Sequence, residues 1–121
     1  MEPNKWFDEL SLIHQAACLR SNVNFNSVLL NYYRDGKDSV SWHQDNEPEL
    51  GPKPIIASIT FGATRTFKFR HINDKETIDL PLTNGSLVIM KGDTQKYWEH
   101  SIPKTTKEIG PRINLTFRII S

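Results

Sequence analysis

From residue 25 to the end of the chain, eight short runs rich in Val, Ile, Phe, Tyr and Thr follow one another, at 25–34, 39–43, 54–61, 64–70, 77–80, 86–90, 98–102 and 112–120. Runs of that length and texture, each closed by a turn signal, are strand signatures. So many at such short spacing restrict the chain to an antiparallel sandwich or a barrel. Asp35-Gly36 and Asn84-Gly85 are hairpin-type turn dipeptides, and Gly62 marks a further reversal. Residues 47–54, with Pro48, Gly51, Pro52 and Pro54, and residues 104–111 read as loops. Ahead of the strands, Pro3 suits a first helical turn, and Trp6, Leu10, Ile13 and Ala17 recur at helical spacing with Phe7, His14 and Cys18 flanking them. The expected fold is mostly β, one α-helix over 3–20 followed by a sandwich or barrel over 25–121, in a single domain spanning 1–121.

Charge then narrows the partners. Fifteen basic against 14 acidic side chains leave a net charge of +1, so the chain is neither a basic nucleic-acid tail nor a polyanion, and any polyanion must be gripped locally. No run approaches the roughly 18 apolar residues of a membrane span, which sets the expectation of no membrane partner. Cys18 is the single cysteine, which excludes an internal disulfide and a cysteine-built zinc site and fits a reducing, intracellular setting, nucleus or cytoplasm. Cys18 itself reads as a small buried helix residue.

Chemistry enters at His43-Gln44-Asp45. Positions i and i+2 of an extended chain face the same way, and His100 lies beside another strand. Two imidazoles and a carboxylate form the donor set that suits non-haem Fe(II) and leaves coordination positions open, although a His-x-Asp pair alone is more often a solvated strand end. On the last strand Arg112, Asn114, Thr116 and Arg118 alternate with Ile113, Leu115 and Phe117. If the polar face looks into the barrel, both guanidiniums need anions, because an unpaired buried charge is costly; a dicarboxylate would satisfy them by bidentate, charge-assisted hydrogen bonds. If it looks outward, it is an ordinary wet face. Asn31 and Tyr33, also i and i+2, place an amide and a phenol side by side.

Taken in order, Asn31-x-Tyr33, Asp35-Gly36, the stretch 38–47 reading DSVSWHQDNE, the stretch 56–62 reading IASITFG, His100, and Arg112-x-Asn114-x-Thr116-x-Arg118 closely resemble the AlkB family. These are Fe(II)- and 2-oxoglutarate-dependent dioxygenases that repair alkylated bases. The resemblance implies a double-stranded β-helix, a jelly-roll barrel, with Fe(II), 2-oxoglutarate as co-substrate, and O2. It implies His43, Asp45 and His100 as the iron ligands, and Arg112 as the partner of the distal carboxylate of 2-oxoglutarate, assisted by Asn31 and Tyr33. Asn114 and Arg118 complete the co-substrate pocket.

On the substrate side, Glu47 matches the family's acidic residue two positions past the metal-binding aspartate. There it would favour cationic bases such as 1-methyladenine and 3-methylcytosine. Trp42 and Arg65 are the further candidates, one beside a metal ligand and the other on a basic strand with Lys68 and Arg70. The stretches 38–43 and 61–67 are most similar to the branch that favours methylated single-stranded DNA or RNA. Family members carry a longer N-terminal region that forms a lid over the iron, whereas the residues ahead of the first strand here suffice for one helix. The expectation is a fragment, a short isoform, or a minimal enzyme that borrows its lid from a partner. The motifs fix the oxidant and not its target, so the same chemistry on a protein or lipid, or a silent jelly-roll binding module, stays open.

Overall fold

A computed structural model describes residues 8–45 and 48–120. The order is α1 (Asp8–Ser21), β1 (Ser27–Tyr33), β2 (Val40–His43), a short 3-10 turn (Pro48–Leu50), β3 (Ile56–Gly62), β4 (Arg65–His71), β5 (Thr77–Leu82), β6 (Leu87–Met90), α2 (Thr94–Tyr97), β7 (Trp98–Ile102) and β8 (Arg112–Arg118). Each of the eight expected runs coincides with a strand, with β3, β4 and β5 running one or two residues further. The first part of the expected helix, with Trp6 and Phe7, lies outside the described residues. The four-residue α2 carries no periodicity long enough to announce itself.

The strands form two four-stranded antiparallel sheets, β1-β8-β3-β6 and β2-β7-β4-β5. β4 pairs with β5, β3 with β6, β2 with β7 and β1 with β8, each pair enclosing the previous one along the chain. A long hairpin ribbon wound in this way is a double-stranded β-helix, the jelly roll the resemblance implies. β4 and β5 are the one sequential strand pair that stays in a sheet; every other connection changes sheets.

That corrects the turn readings. Asp35-Gly36 and Asn84-Gly85 are corners between sheets, not hairpins, and the reversal at Gly62 is a corner as well. The dipeptides supply the required backbone, as with Gly62 at φ 101° and Gly85 at φ 80°, but which strand comes next is decided by long-range pairing. At Gly62 a Cβ would also strike the Pro111 carbonyl oxygen. The true hairpin, at residues 72–76, uses an Asx turn in which Asp74 Oδ1 accepts Glu76 N–H at 2.9 Å, with Lys75 at φ 64°. Pro81 breaks no ladder, because β5 is an edge strand.

Two apolar layers result. Ala17 of α1 packs with Phe25, Ala57, Ile59, Leu115 and Phe117 against the outer face of the first sheet. Tyr33, Ile56, Phe67, Leu82, Met90 and Ile102 fill the space between the sheets. The helix settles the orientation of β8: Leu115 and Phe117 turn outward beneath α1, so Arg112, Asn114, Thr116 and Arg118 turn inward.

Candidate metal centre and anion pocket

The β2–β7 ladder pairs His43 directly with His100, so 57 residues of chain close into a cross-strand neighbour contact. The two rings lie 4.2 Å apart, centroid to centroid. His100 is 4% exposed and is held edge-on against Phe67 at 5.2 Å. His43 Nδ1 lies 2.8 Å from the Ser41 carbonyl oxygen. A carbonyl accepts only, so this nitrogen carries the proton and Nε2 is left with its lone pair, as a metal requires.

Asp45, just past β2, turns toward both rings, with Oδ1 3.7 Å from His43 Nε2 and Oδ2 3.4 Å from His100 Nε2. Burial pushes its carboxyl upward, but His100, then the charges of His43 and Arg118, outweigh that and hold it below the usual carboxylate value. It is therefore ionised at neutral pH. The three side chains each offer a donor atom within 4.8 Å of the others. With bonds of about 2.0–2.2 Å, adjacent donors around an ion sit about 3 Å apart, so the present separations of 3.4 Å, 3.7 Å and at most 4.8 Å need a small inward turn of the side chains to close on an ion. Two imidazole nitrogens and one carboxylate oxygen on one side of a cavity fit a divalent iron with open positions.

The opposite wall is the inward face of β1, β8 and β3. Across the ladders Tyr33 faces Arg112, and Asn31 faces Asn114, which faces Thr60. Arg112 is 1% exposed. Its Nη2 donates to Thr60 Oγ1 at 2.9 Å and to Asn114 Oδ1 at 3.2 Å. Its guanidinium carbon lies 4.8 Å from the centre of the Tyr33 ring. Nε and Nη1 are buried without a hydrogen-bond partner, and among the described residues Arg112 makes no ion pair. Burial pushes its pKa down, and the Tyr33 hydroxyl only partly opposes this. Arg118 likewise buries an unpartnered Nε.

A cavity of about 100 Å³ joins the two walls, lined by His43, Asp45 and His100 on one side and by Asn31, Tyr33, Arg112, Asn114 and Arg118 on the other. The metal-donor triad and the unsatisfied guanidinium thus share one chamber. The orphaned nitrogens of Arg112 fit a carboxylate, so the residues present match a metal together with a dianionic co-substrate.

Two of the three substrate candidates, Arg65 and Trp42, stand apart from the cavity. Arg65 is 3% exposed, its terminal nitrogens donating to the carbonyls of Asp35, Asp38 and Pro103. It pins two loops and presents no surface to a phosphate. Trp42 faces away from His43, as strand alternation requires, and lies beneath Arg70, whose guanidinium carbon is 4.2 Å from its ring centre. It packs the outer face of the second sheet and does not wall the cavity. Glu47 lies outside the described residues.

Ser58 and Thr60, which no motif marks as site residues, also belong to the site: both donate to Asn114 Oδ1, at 2.9 and 3.0 Å, which fixes the amide beside Arg112. Their alternation with Ala57 and Ile59 was the available signal.

The chain matches a family model described as the 2OG-Fe(II) oxygenase superfamily over residues 3–118. It is 45% identical to the mouse (Mus musculus) alpha-ketoglutarate-dependent dioxygenase alkB homolog 3, an alignment covering 99% of this chain and 46% of that protein. With the human (Homo sapiens) DNA oxidative demethylase ALKBH2 the identity is 40%, over 99% of this chain and 49% of that protein. The chain therefore spans about half the length of these curated relatives. A solved structure of OsALKBH1 superposes with a TM-score of 0.69 over 93% of this chain and 64% of the other, at 19% identity, which supports the fold. The family's cofactors are Fe(II), 2-oxoglutarate and O2, and the cavity carries a donor set suited to the metal and unpartnered guanidinium nitrogens suited to the dianion. Fold, matched residues and paired metal and anion walls together make this chain a member of the 2OG-Fe(II) oxygenase superfamily, of the AlkB type.

Proposed function

We propose that residues 1–121 form the catalytic domain of a dioxygenase that oxidatively demethylates N-alkylated bases, of the 1-methyladenine and 3-methylcytosine type, in DNA or RNA. The observation that carries this reading is Arg112, a buried cation without an anion, aimed into the chamber that also holds His43, Asp45 and His100. The names of the mouse and human relatives support the choice of reaction and of nucleic acid.

In this reading His43, Asp45 and His100 hold ferrous iron. Arg112, steadied by Thr60 and Asn114, takes the distal carboxylate of 2-oxoglutarate, with Asn31 and Tyr33 beside it and Arg118 completing the positive wall. The iron and O2 supply oxidation of the N-methyl carbon, coupled to conversion of 2-oxoglutarate to succinate and CO2, and the resulting carbinol releases formaldehyde. Phe67, Leu82, Met90 and Ile102 wall the chamber with apolar surface, which keeps water from the reacting groups. A chamber of about 100 Å³ suits the co-substrate and leaves the base at its mouth. Glu47, two positions beyond Asp45, is assigned to favour the cationic bases. Methylated single strands, with a lid contributed by a partner, are the proposed setting.

The test is to incubate the purified chain with Fe(II), ascorbate, 2-oxoglutarate and a 1-methyladenine oligonucleotide, single- or double-stranded, following succinate and base mass. Wild type should remove the mass of one methylene from the modified base, and His43→Ala should not. Succinate release without demethylation would redirect the reading to a protein or lipid substrate. Absence of both would mark a silent jelly roll.

A further inference from the structure

The β2–β7 ladder ends at the His43–His100 pair, so the main chain of Asp45, two residues on, has no strand partner. Gln95 of α2, five positions ahead of His100, takes that place. Its side-chain Oε1 accepts the Asp45 backbone N–H at 2.8 Å, and its Nε2 reaches Met90 Sδ at 3.5 Å. Its carbonyl oxygen accepts Gln44 Nε2 at 3.0 Å, and the same Gln44 nitrogen donates to the Lys96 carbonyl at 3.3 Å. The orientation of the Gln95 amide follows from its partner, since a backbone N–H donates only and must meet the oxygen. Gln95 is 4% exposed, and a buried amide is retained without penalty only where it is bonded. Each of these bonds of Gln95 runs either to the segment carrying Asp45 or to the cavity residue Met90.

We infer that Gln95 is a positioning residue of the metal centre. By closing Gln44 and Asp45 onto α2 it ties the carboxylate-bearing loop to the segment that leads into His100, and so fixes where the carboxylate points. The inference rests on the reading of His43, Asp45 and His100 as metal ligands, and it assigns a role to a side chain that touches neither metal nor substrate. Without the bond the loop is free to turn, and the carboxylate spends less time within reach of the ion.

The test is a titration of the full chain with Co2+ alone, read by visible absorption. Gln95→Leu keeps the volume and removes the acceptor; its Kd should rise roughly tenfold, the scale seen when groups supporting a ligand are lost, with an altered Co2+ spectrum. Gln95→Glu keeps an acceptor oxygen and should bind close to wild type, even though a buried carboxylate lowers its melting temperature. Phe117→Leu, in the layer beneath α1, should lower the melting temperature without moving the Kd.

The inference is overturned if Gln95→Leu binds Co2+ with wild-type affinity and spectrum, if it loses no more affinity than Phe117→Leu, or if Gln95→Glu is as impaired as Gln95→Leu. Asp45→Ala separates this from the underlying reading. If wild type binds no Co2+, or Asp45→Ala binds as wild type does, the triad is not a metal site and the role of Gln95 falls with it.

Discussion

Arg112→Met should lose 2-oxoglutarate almost completely while the empty protein becomes no less stable. The two effects have one cause. Arg112 is 1% exposed, with two nitrogens unpartnered and no ion pair among the described residues. In the free protein it is a desolvated charge, and replacing such a charge by an apolar side chain of similar volume is often neutral or stabilising. Little is orphaned by the change, because Thr60 and Ser58 still donate to Asn114. With 2-oxoglutarate present the sign reverses. Two charge-assisted hydrogen bonds at about 1.5–3 kcal/mol each are lost, so Kd should rise by roughly 10²–10³-fold or more. Wild type should gain several degrees in melting temperature on addition of co-substrate, as binding to the folded state requires, and Arg112→Met should gain nothing. A variant that melts far below wild type without ligand would show that Arg112 is instead a structural brace.

Asp45→Ala should abolish metal binding and turnover together, with little cost to the fold. The carboxylate is the anionic member of the triad, ionised because His100, His43 and Arg118 surround it. Its removal leaves two neutral imidazoles, which hold a hard divalent ion poorly, and a loss of at least about 100-fold in affinity is expected. Stability in the absence of metal should change by about 1 kcal/mol or less, since the contacts of Asp45 to the two imidazoles are long, at 3.4 and 3.7 Å. Metal titration and urea denaturation measure the two quantities separately.

What could be read from the chain follows physical range. His43-x-Asp45 and the alternation on β8 are local patterns, and strand geometry converts them into shared faces. The alternation could not say which face was inside. That depended on α1 covering Leu115 and Phe117, a contact between the two ends of the chain. The turn dipeptides were placed correctly and misassigned, because Asn84-Gly85 specifies a tight reversal while nested pairing of β3 with β6 decides that β6 joins the other sheet. By its charge and its basic strand, Arg65 is a candidate substrate contact in sequence. In the fold, carbonyl oxygens of loops distant in sequence satisfy its terminal nitrogens. Gln95 had no legible signal, since it acts from a four-residue helix through one side-chain bond to a loop 50 residues away.

The central claim is that metal and co-substrate occupy one chamber, and their mutual dependence tests it directly. The measurement is calorimetric titration of 2-oxoglutarate into wild type, Arg112→Met, Asp45→Ala and the double variant, each with and without Mn2+ as a redox-silent substitute for iron. One chamber requires that the metal tighten 2-oxoglutarate binding in wild type by at least about tenfold, with reciprocal tightening of the metal, and that Asp45→Ala abolish this gain. Affinity for 2-oxoglutarate that is the same with and without Mn2+, or that survives in Arg112→Met, would contradict the account.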